Sequence, residues 1–98
     1  MSDLVTATAN VQIDNDFTRV VQWRFPPGTQ TGFHIHEFDY VVVPIVSGTL
    51  HVDLGDEEFD NVLVLGESYT GSAGTAHNVM NTSDVECAFV EVEFKGRR

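Results

Sequence analysis

The sequence is poor in positive charge and in long apolar runs. Only 5 of its 98 residues are lysine or arginine, against 15 aspartates and glutamates, and the formal net charge is −10 at pH 7. Such an acidic chain repels phosphate backbones and anionic lipid surfaces, so we expect neither nucleic acid nor a membrane as a partner. No apolar run approaches the ~18 residues of a membrane-spanning helix.

Cysteine is also scarce, because Cys87 is the only one in the chain. One cysteine excludes an internal disulfide framework and is typical of a reducing compartment. The opening segment MSDLVTATAN lacks the basic and apolar regions of a secretion signal. We therefore predict a cytoplasmic protein, and its length predicts a single domain over residues 1–98.

Helical apolar periodicity is absent, and short runs of β-branched and aromatic residues recur instead. Glycine, proline, asparagine and aspartate separate these runs in turn sequences such as PPG, SG, GDEEFD and NTSD. Turns at intervals of roughly 8–12 residues favour an all-β sandwich or a closed barrel. The predicted strands cover residues 4–9, 18–25, 32–36, 39–46, 49–54, 61–65, 68–72, 76–81 and 86–94.

Alternation along a strand predicts which of its faces is buried. In residues 49–54 the apolar face carries Leu50, Val52 and Leu54. In residues 86–94 we place the even-numbered face inside, with Ala88, Val90, Val92 and Phe94. The odd-numbered face, which carries Cys87, Phe89, Glu91 and Glu93, is then predicted to be solvated or to lie at an interface.

Three of the four histidines have the spacing of a metal site. His34 and His36 are two residues apart, so on a strand their side chains point to the same face and can bind one ion together. His77 would complete the group from a second strand. We predict that His34, His36 and His77 bind one divalent metal ion, and we interpret His51 as a surface or interface residue.

The residues around these histidines resemble the two motifs of the cupin family. Residues 28 to 81 contain both motifs in the family's order, and the matching positions are Gly28, His34, His36, Gly48, Gly66, Gly74, His77 and Asn81. The resemblance implies a double-stranded β-helix, or jelly-roll barrel, and a homodimer. The phrase HEFDYVVVP further resembles small stand-alone cupins associated with β-alanine degradation.

The chain lacks the glutamate that completes the metal site in the cupin motif. Counting back along the motif from Gly48 selects Val41 for that position. Counting forward from His36 selects Tyr40 instead, because every second residue of a strand points to the same face. A bulge near Pro44, which cannot donate to a sheet ladder, would reconcile the two counts and leave Tyr40 pointing at the metal. We assign Tyr40 as the catalytic residue, either as a hydrogen-bond donor to bound water or substrate or as a ligand itself.

The nearby carboxylates are predicted to lie elsewhere. Glu37 and Asp39 should face away from the histidine side, and Glu91 and Glu93 alternate with the face assigned to the core. The acidic cluster in residues 56–60 lacks the spacing of a calcium loop and is interpreted as a hairpin tip.

Three neutral histidine ligands leave a divalent metal ion with its full charge and with open coordination positions. Such an ion favours a small anionic molecule as a further ligand. The resemblance implies oxygenase chemistry with iron, and isomerisation or plain binding with zinc or nickel; manganese is a further candidate. We carry two hypotheses: a metal-dependent oxygenase or isomerase acting on a small anionic metabolite, and a non-catalytic metal or small-ligand binding module. Arg19 and Arg24 lie on opposite faces of one predicted strand, so only one can point inward toward a substrate carboxylate.

Overall fold

The computed structural model describes residues 4–96, which form eleven strands. Within this range there is no helix that could cross a membrane. The strands are β1 (Val5–Thr6), β2 (Thr8–Asp14), β3 (Thr18–Phe25), β4 (Thr29–Gln30), β5 (His34–Ile35), β6 (Asp39–Val46), β7 (Gly48–Asp53), β8 (Glu58–Leu63), β9 (Tyr69–Gly71), β10 (Ala76–Asn81) and β11 (Cys87–Phe94).

The strands form two sheets that pack against each other. One sheet has the order β1-β4-β10-β7-β8, with β5 also paired to β10, and the other has the order β2-β3-β11-β6-β9. Both sheets contribute to one core cluster of buried residues, which includes Phe25, Val42, Leu50, Leu63, Val79 and Phe89. The predicted all-β jelly-roll architecture is confirmed.

Three predicted strands have the bounds that the structure gives to β3, β6 and β10. The prediction at the N-terminal end was wrong, because residues 4–9 divide between β1 and β2, and β2 continues to Asp14. Every residue of β2 is exposed. The alternation of Ala9, Val11 and Ile13 with polar residues, which continues beyond residue 9, was the signal that the prediction missed. The predicted strand 32–36 shrinks to β5, and β4 was not predicted.

The buried face of β11 is the opposite of the predicted one. Cys87 and Phe89 lie in the core. Glu91 and Glu93 also point inward, because every second residue of a strand lies on the same face. The two glutamates are 9% and 8% exposed, whereas Phe94 on the even-numbered face is 49% exposed. The prediction was wrong because both faces of β11 carry apolar residues, and because this end of the barrel interior holds polar groups.

The bulge predicted near Pro44 is confirmed. Along the pairing of β6 with β11, Ala88 is opposite Val46 and Phe89 is opposite Pro44, so one residue of β6 has no partner. As a result Tyr40 is buried on the inner side of β6, while Val41 beside it is only half-buried. Tyr40, not Val41, therefore points into the barrel.

Candidate metal centre

Two neighbouring strands bring the histidines together. His34 on β5 is directly opposite His77 on β10, so their side chains project from the same face. His36 lies just beyond β5, where its backbone N–H donates to the Thr75 carbonyl at 2.8 Å and its carbonyl accepts from Gly74 N–H at 2.8 Å. These two bonds tie the histidine-bearing segment to the turn before β10.

The Nε2 atoms of the three histidines converge. His36 Nε2 is 3.2 Å from His34 Nε2 and 3.2 Å from His77 Nε2. Two imidazole nitrogens that each lie about 2.1 Å from one ion, at an angle between octahedral and tetrahedral, are about 3.0–3.4 Å apart. The separations in this chain therefore fit a shared metal ion.

The protonation of the histidines also suits a cation. His34 Nδ1 is 2.8 Å from the Gly32 carbonyl, which can only accept, so Nδ1 carries the hydrogen and Nε2 keeps its lone pair in the neutral ring. Burial, followed by the charge of neighbouring imidazoles, lowers the pKa of His36 and of His77 to about 4. Metal ligation requires unprotonated histidine, which these two residues are at neutral pH.

Tyr40 packs directly against this group. Its ring stacks on the His36 imidazole with centroids 4.0 Å apart. Burial, followed by the nearby Glu91 carboxylate, raises the pKa of Tyr40 to about 12. The phenol is therefore neutral at physiological pH, and its hydroxyl can donate a hydrogen bond.

Two carboxylates that were predicted to be solvated or to lie at an interface, those of Glu91 and Glu93, lie beside His36 instead. Oxygen atoms of Glu91 and Glu93 and one ring nitrogen of His36 lie within 4.8 Å of one another, and His36 Nδ1 is 3.9 Å from Glu93 Oε2. Burial, followed by the charge of Glu93, raises the pKa of Glu91 to about 7. The alternation of β11 allowed either face to be inside, so the sequence held no signal that could have selected these residues.

A cavity of about 460 Å³ adjoins the histidines. His34, His77, Tyr40 and Glu91 all contribute to its wall. Its volume lies in the range of small-molecule sites, roughly 300–1,000 Å³. The arrangement thus joins a set of nitrogen donors, a phenol and a carboxyl group to an open space large enough for a ligand.

The remaining candidate residues lie outside this centre. Glu37 and Asp39 are exposed, as are the acidic residues 56–60, in agreement with the predictions. Arg19 lies opposite Glu93, with its guanidinium 3.8 Å from that carboxylate, but its side chain is 42% exposed. The Arg24 side chain lies near Glu86 and is 44% exposed.

Comparisons with known proteins agree with this architecture. Residues 21–93 match the family model described as a cupin domain. The chain is 45% identical to the beta-alanine degradation protein BauB of Pseudomonas aeruginosa, over 97% of this chain and 100% of that protein.

Solved structures give the same result. A cupin domain from Bordetella pertussis superposes with a TM-score of 0.93 at 45% identity, covering 98% of this chain and 100% of the other. A Klebsiella pneumoniae protein with a double-stranded β-helix domain shares the fold, with a TM-score of 0.76 at 24% identity over 94% of this chain and 79% of that one. With two cupin motifs, a jelly-roll barrel and a full-length match to a cupin domain, this chain belongs to the cupin family.

Proposed function

We propose that this protein binds one divalent metal ion through Nε2 of His34, His36 and His77, and uses it to hold a small molecule in the adjoining cavity. The observation that supports this most directly is the convergence of the Nε2 atoms at 3.2 Å. His34 Nε2 is already free to accept, and a cation at this point would accept the Nε2 lone pairs of all three rings. The cupin family, whose members commonly bind divalent metals, adds support.

The nitrogen donors suit iron, nickel, zinc or manganese. When bound, such an ion would supply Lewis acidity, and iron would add dioxygen chemistry. Tyr40 can donate a hydrogen bond to a ligand at the histidine end of the cavity, and Glu91 offers a carboxyl group that can exchange a proton with it. We therefore favour a metal-dependent oxygenase or isomerase, acting on an anionic small molecule, over a binding module.

The relative from Pseudomonas aeruginosa supports a metabolic setting. Its name assigns that protein to β-alanine degradation and gives no reaction. Because this chain matches that relative over its full length, we propose that it works in the same process.

The metal site is tested by elemental analysis of protein purified without oxygen from its own host. We expect about one divalent ion per chain, and His77→Ala should lose it because the donor set then has two nitrogens. His51→Ala is the matched control, since this histidine lies outside the centre and should leave metal content unchanged. Tyr40→Phe should also keep the metal, because it removes a hydrogen-bond donor and no nitrogen ligand.

Full metal retention by His77→Ala would contradict the proposal. Dioxygen uptake by the iron-loaded protein on addition of substrate would identify an oxygenase, whereas an isomerase would convert its substrate without consuming dioxygen. A binding module would hold zinc or nickel and consume no dioxygen.

A further inference from the structure

The cavity beside the histidines has two chemically different ends. One end carries His34, His77 and Tyr40. The rest of the wall combines neutral polar side chains, such as those of Asn61, Tyr69 and Ser72, with a larger apolar surface from Trp23, Val42, Leu50, Val52, Phe59 and Phe89. The space has a volume of about 460 Å³ and opens to solvent, since Phe59 on its wall is 46% exposed. An open, largely apolar pocket of this size is typical of a small-molecule site.

The described wall of the cavity offers no cationic side chain to a second anionic group on that ligand. Among the residues of 4–96 that line it, none is lysine or arginine, and Glu91 is the only carboxylate. Arg19 belongs to the neighbouring pocket, where Glu93 already faces its guanidinium. A carboxylate placed away from the histidine end would find no cation to balance its charge, only apolar side chains, neutral polar groups such as Asn61 and Tyr69, and the carboxyl group of Glu91.

We propose that the cavity takes a ligand with one oxygen-donor head, held at the histidine end, and an apolar body at least as large as an aromatic ring. This inference rests on the proposed metal site and names the class of ligand for it. β-Alanine itself does not belong to this class, because its two charged ends leave no apolar body to fill the space. A substrate of the chain is accordingly a larger and less polar molecule.

Two hydroxamates with the same chelating head test the apolar body. Acetohydroxamate carries a methyl group and benzohydroxamate a phenyl ring, and β-alanine serves as the third probe. Trp23 lines the cavity and is the only tryptophan of the chain, so its fluorescence reports binding. Burial of the ring should make benzohydroxamate bind the metal-loaded protein about 10- to 100-fold more tightly than acetohydroxamate, with no binding of β-alanine in the same range.

A pair of phenylalanine variants tests the location of the body. Phe59 lines the cavity and is 46% exposed, whereas Phe94 is 49% exposed and lines neither pocket. Phe59→Ser should weaken benzohydroxamate binding several-fold and leave acetohydroxamate binding and metal content unchanged. Phe94→Ser should change none of the three.

Metal content measured on the same samples separates this inference from the proposed function. If the protein holds no metal but still binds benzohydroxamate more tightly than acetohydroxamate, only the proposed function is contradicted. The apolar part of the cavity would then select the ring without a metal ion. A metal-loaded protein that binds the two hydroxamates equally, or whose Phe59→Ser and Phe94→Ser variants behave alike, would overturn the inference.

Discussion

At the residue scale, Tyr40 is held between an imidazole and a glycine. Its ring stacks on His36, and Gly71 lies opposite it on the paired strand β9. A Cβ added to Gly71 would lie 2.0 Å from Tyr40 Cζ, far inside van der Waals contact. Gly71 therefore acts on the centre by leaving room for the phenol, a role that its position in the sequence did not indicate.

This close approach predicts a coupled effect on stability. Gly71→Ala should destabilise the protein by about 1–3 kcal/mol, because an extra methyl group in a packed site forces side chains and backbone to shift. In a Tyr40→Ala background the same substitution should cost little, since the ring that it meets is gone. Chemical denaturation of the four proteins in a double-mutant cycle measures the coupling. Additive effects would show that the ring moves aside at no cost.

At the scale of elements, the hairpin of β7 and β8 carries the fourth histidine away from the centre. His51 pairs across the hairpin with Asp60, and the two facing atoms, His51 Nδ1 and Asp60 Oδ1, are 3.0 Å apart. His51 Nε2 also contacts a carboxylate oxygen of Glu58. Hydrogen bonds to Asp60 and then to Glu58 raise the pKa of His51.

The raised pKa of His51 predicts a pH-dependent stabilisation of this hairpin. Because the folded state holds the proton more tightly than the unfolded state, the contribution is fully present below about pH 6.5 and is lost as pH rises through the folded-state pKa. We expect His51→Gln to destabilise metal-free protein at pH 5.5 by about 0.2–1 kcal/mol, the range of exposed ion pairs, and to have less effect at pH 9. Urea titrations at the two pH values measure the difference. An equal loss at both would contradict an ionic role.

Another element, β11, connects the core to the chemistry. Its first half contributes Cys87 and Phe89 to the core, and its second half presents Glu91 and Glu93 beside His36. The same alternation of side chains serves both purposes because the inner face of β11 runs from the core at Cys87 to the wall of the cavity at Glu91.

At the scale of the whole molecule, the exposed apolar surface predicts self-association. Strand β2 is at the edge of its sheet and pairs only with β3 among the described strands, and all seven of its residues are exposed. Val11 and Ile13 on this strand are 48% and 46% exposed. A second copy would cover this edge through a two-fold interface, which is how we predict that the homodimer forms.

Light scattering tests this arrangement. We expect about twice the chain mass of 10.8 kDa at micromolar concentration, and a stronger dimer at higher salt, which screens the repulsion between two chains of net charge −10. Ile13→Glu should shift the protein toward monomer. Val62→Glu, on β8 at the edge of the other sheet, is the control and should leave the mass unchanged. Monomeric wild-type protein at every concentration would rule out the dimer.

Cys87 is buried in the core, where its thiol is protected in a reducing or an oxidising compartment alike, so it does not bear on the predicted cytoplasmic location. Burial raises the pKa of Cys87 to about 11, so the thiol is neutral and poorly reactive at physiological pH. A cysteine of this kind serves as a small core residue. The location itself stays a prediction.

The sequence by itself determined the fold class, most strand positions and the pairing of His34 and His36 on one face. These properties depend on local periodicity, on turn residues and on motif spacing, all of which are encoded within short segments. The bulge beside Pro44 also followed from local chemistry, because proline lacks the N–H that a ladder needs.

Only the tertiary structure decided which face of β11 is inside, and with it the presence of Glu91 and Glu93 beside His36. A strand that has apolar residues on both faces does not specify its orientation, since alternation fixes which side chains share a face and not where that face points. The opposite sheet fixes it, because Cys87 and Phe89 belong to one core cluster with Leu50, Leu63 and Val79 of that sheet. The apolar cavity next to the histidines likewise exists only where both sheets contribute side chains, so no single segment of the sequence describes it.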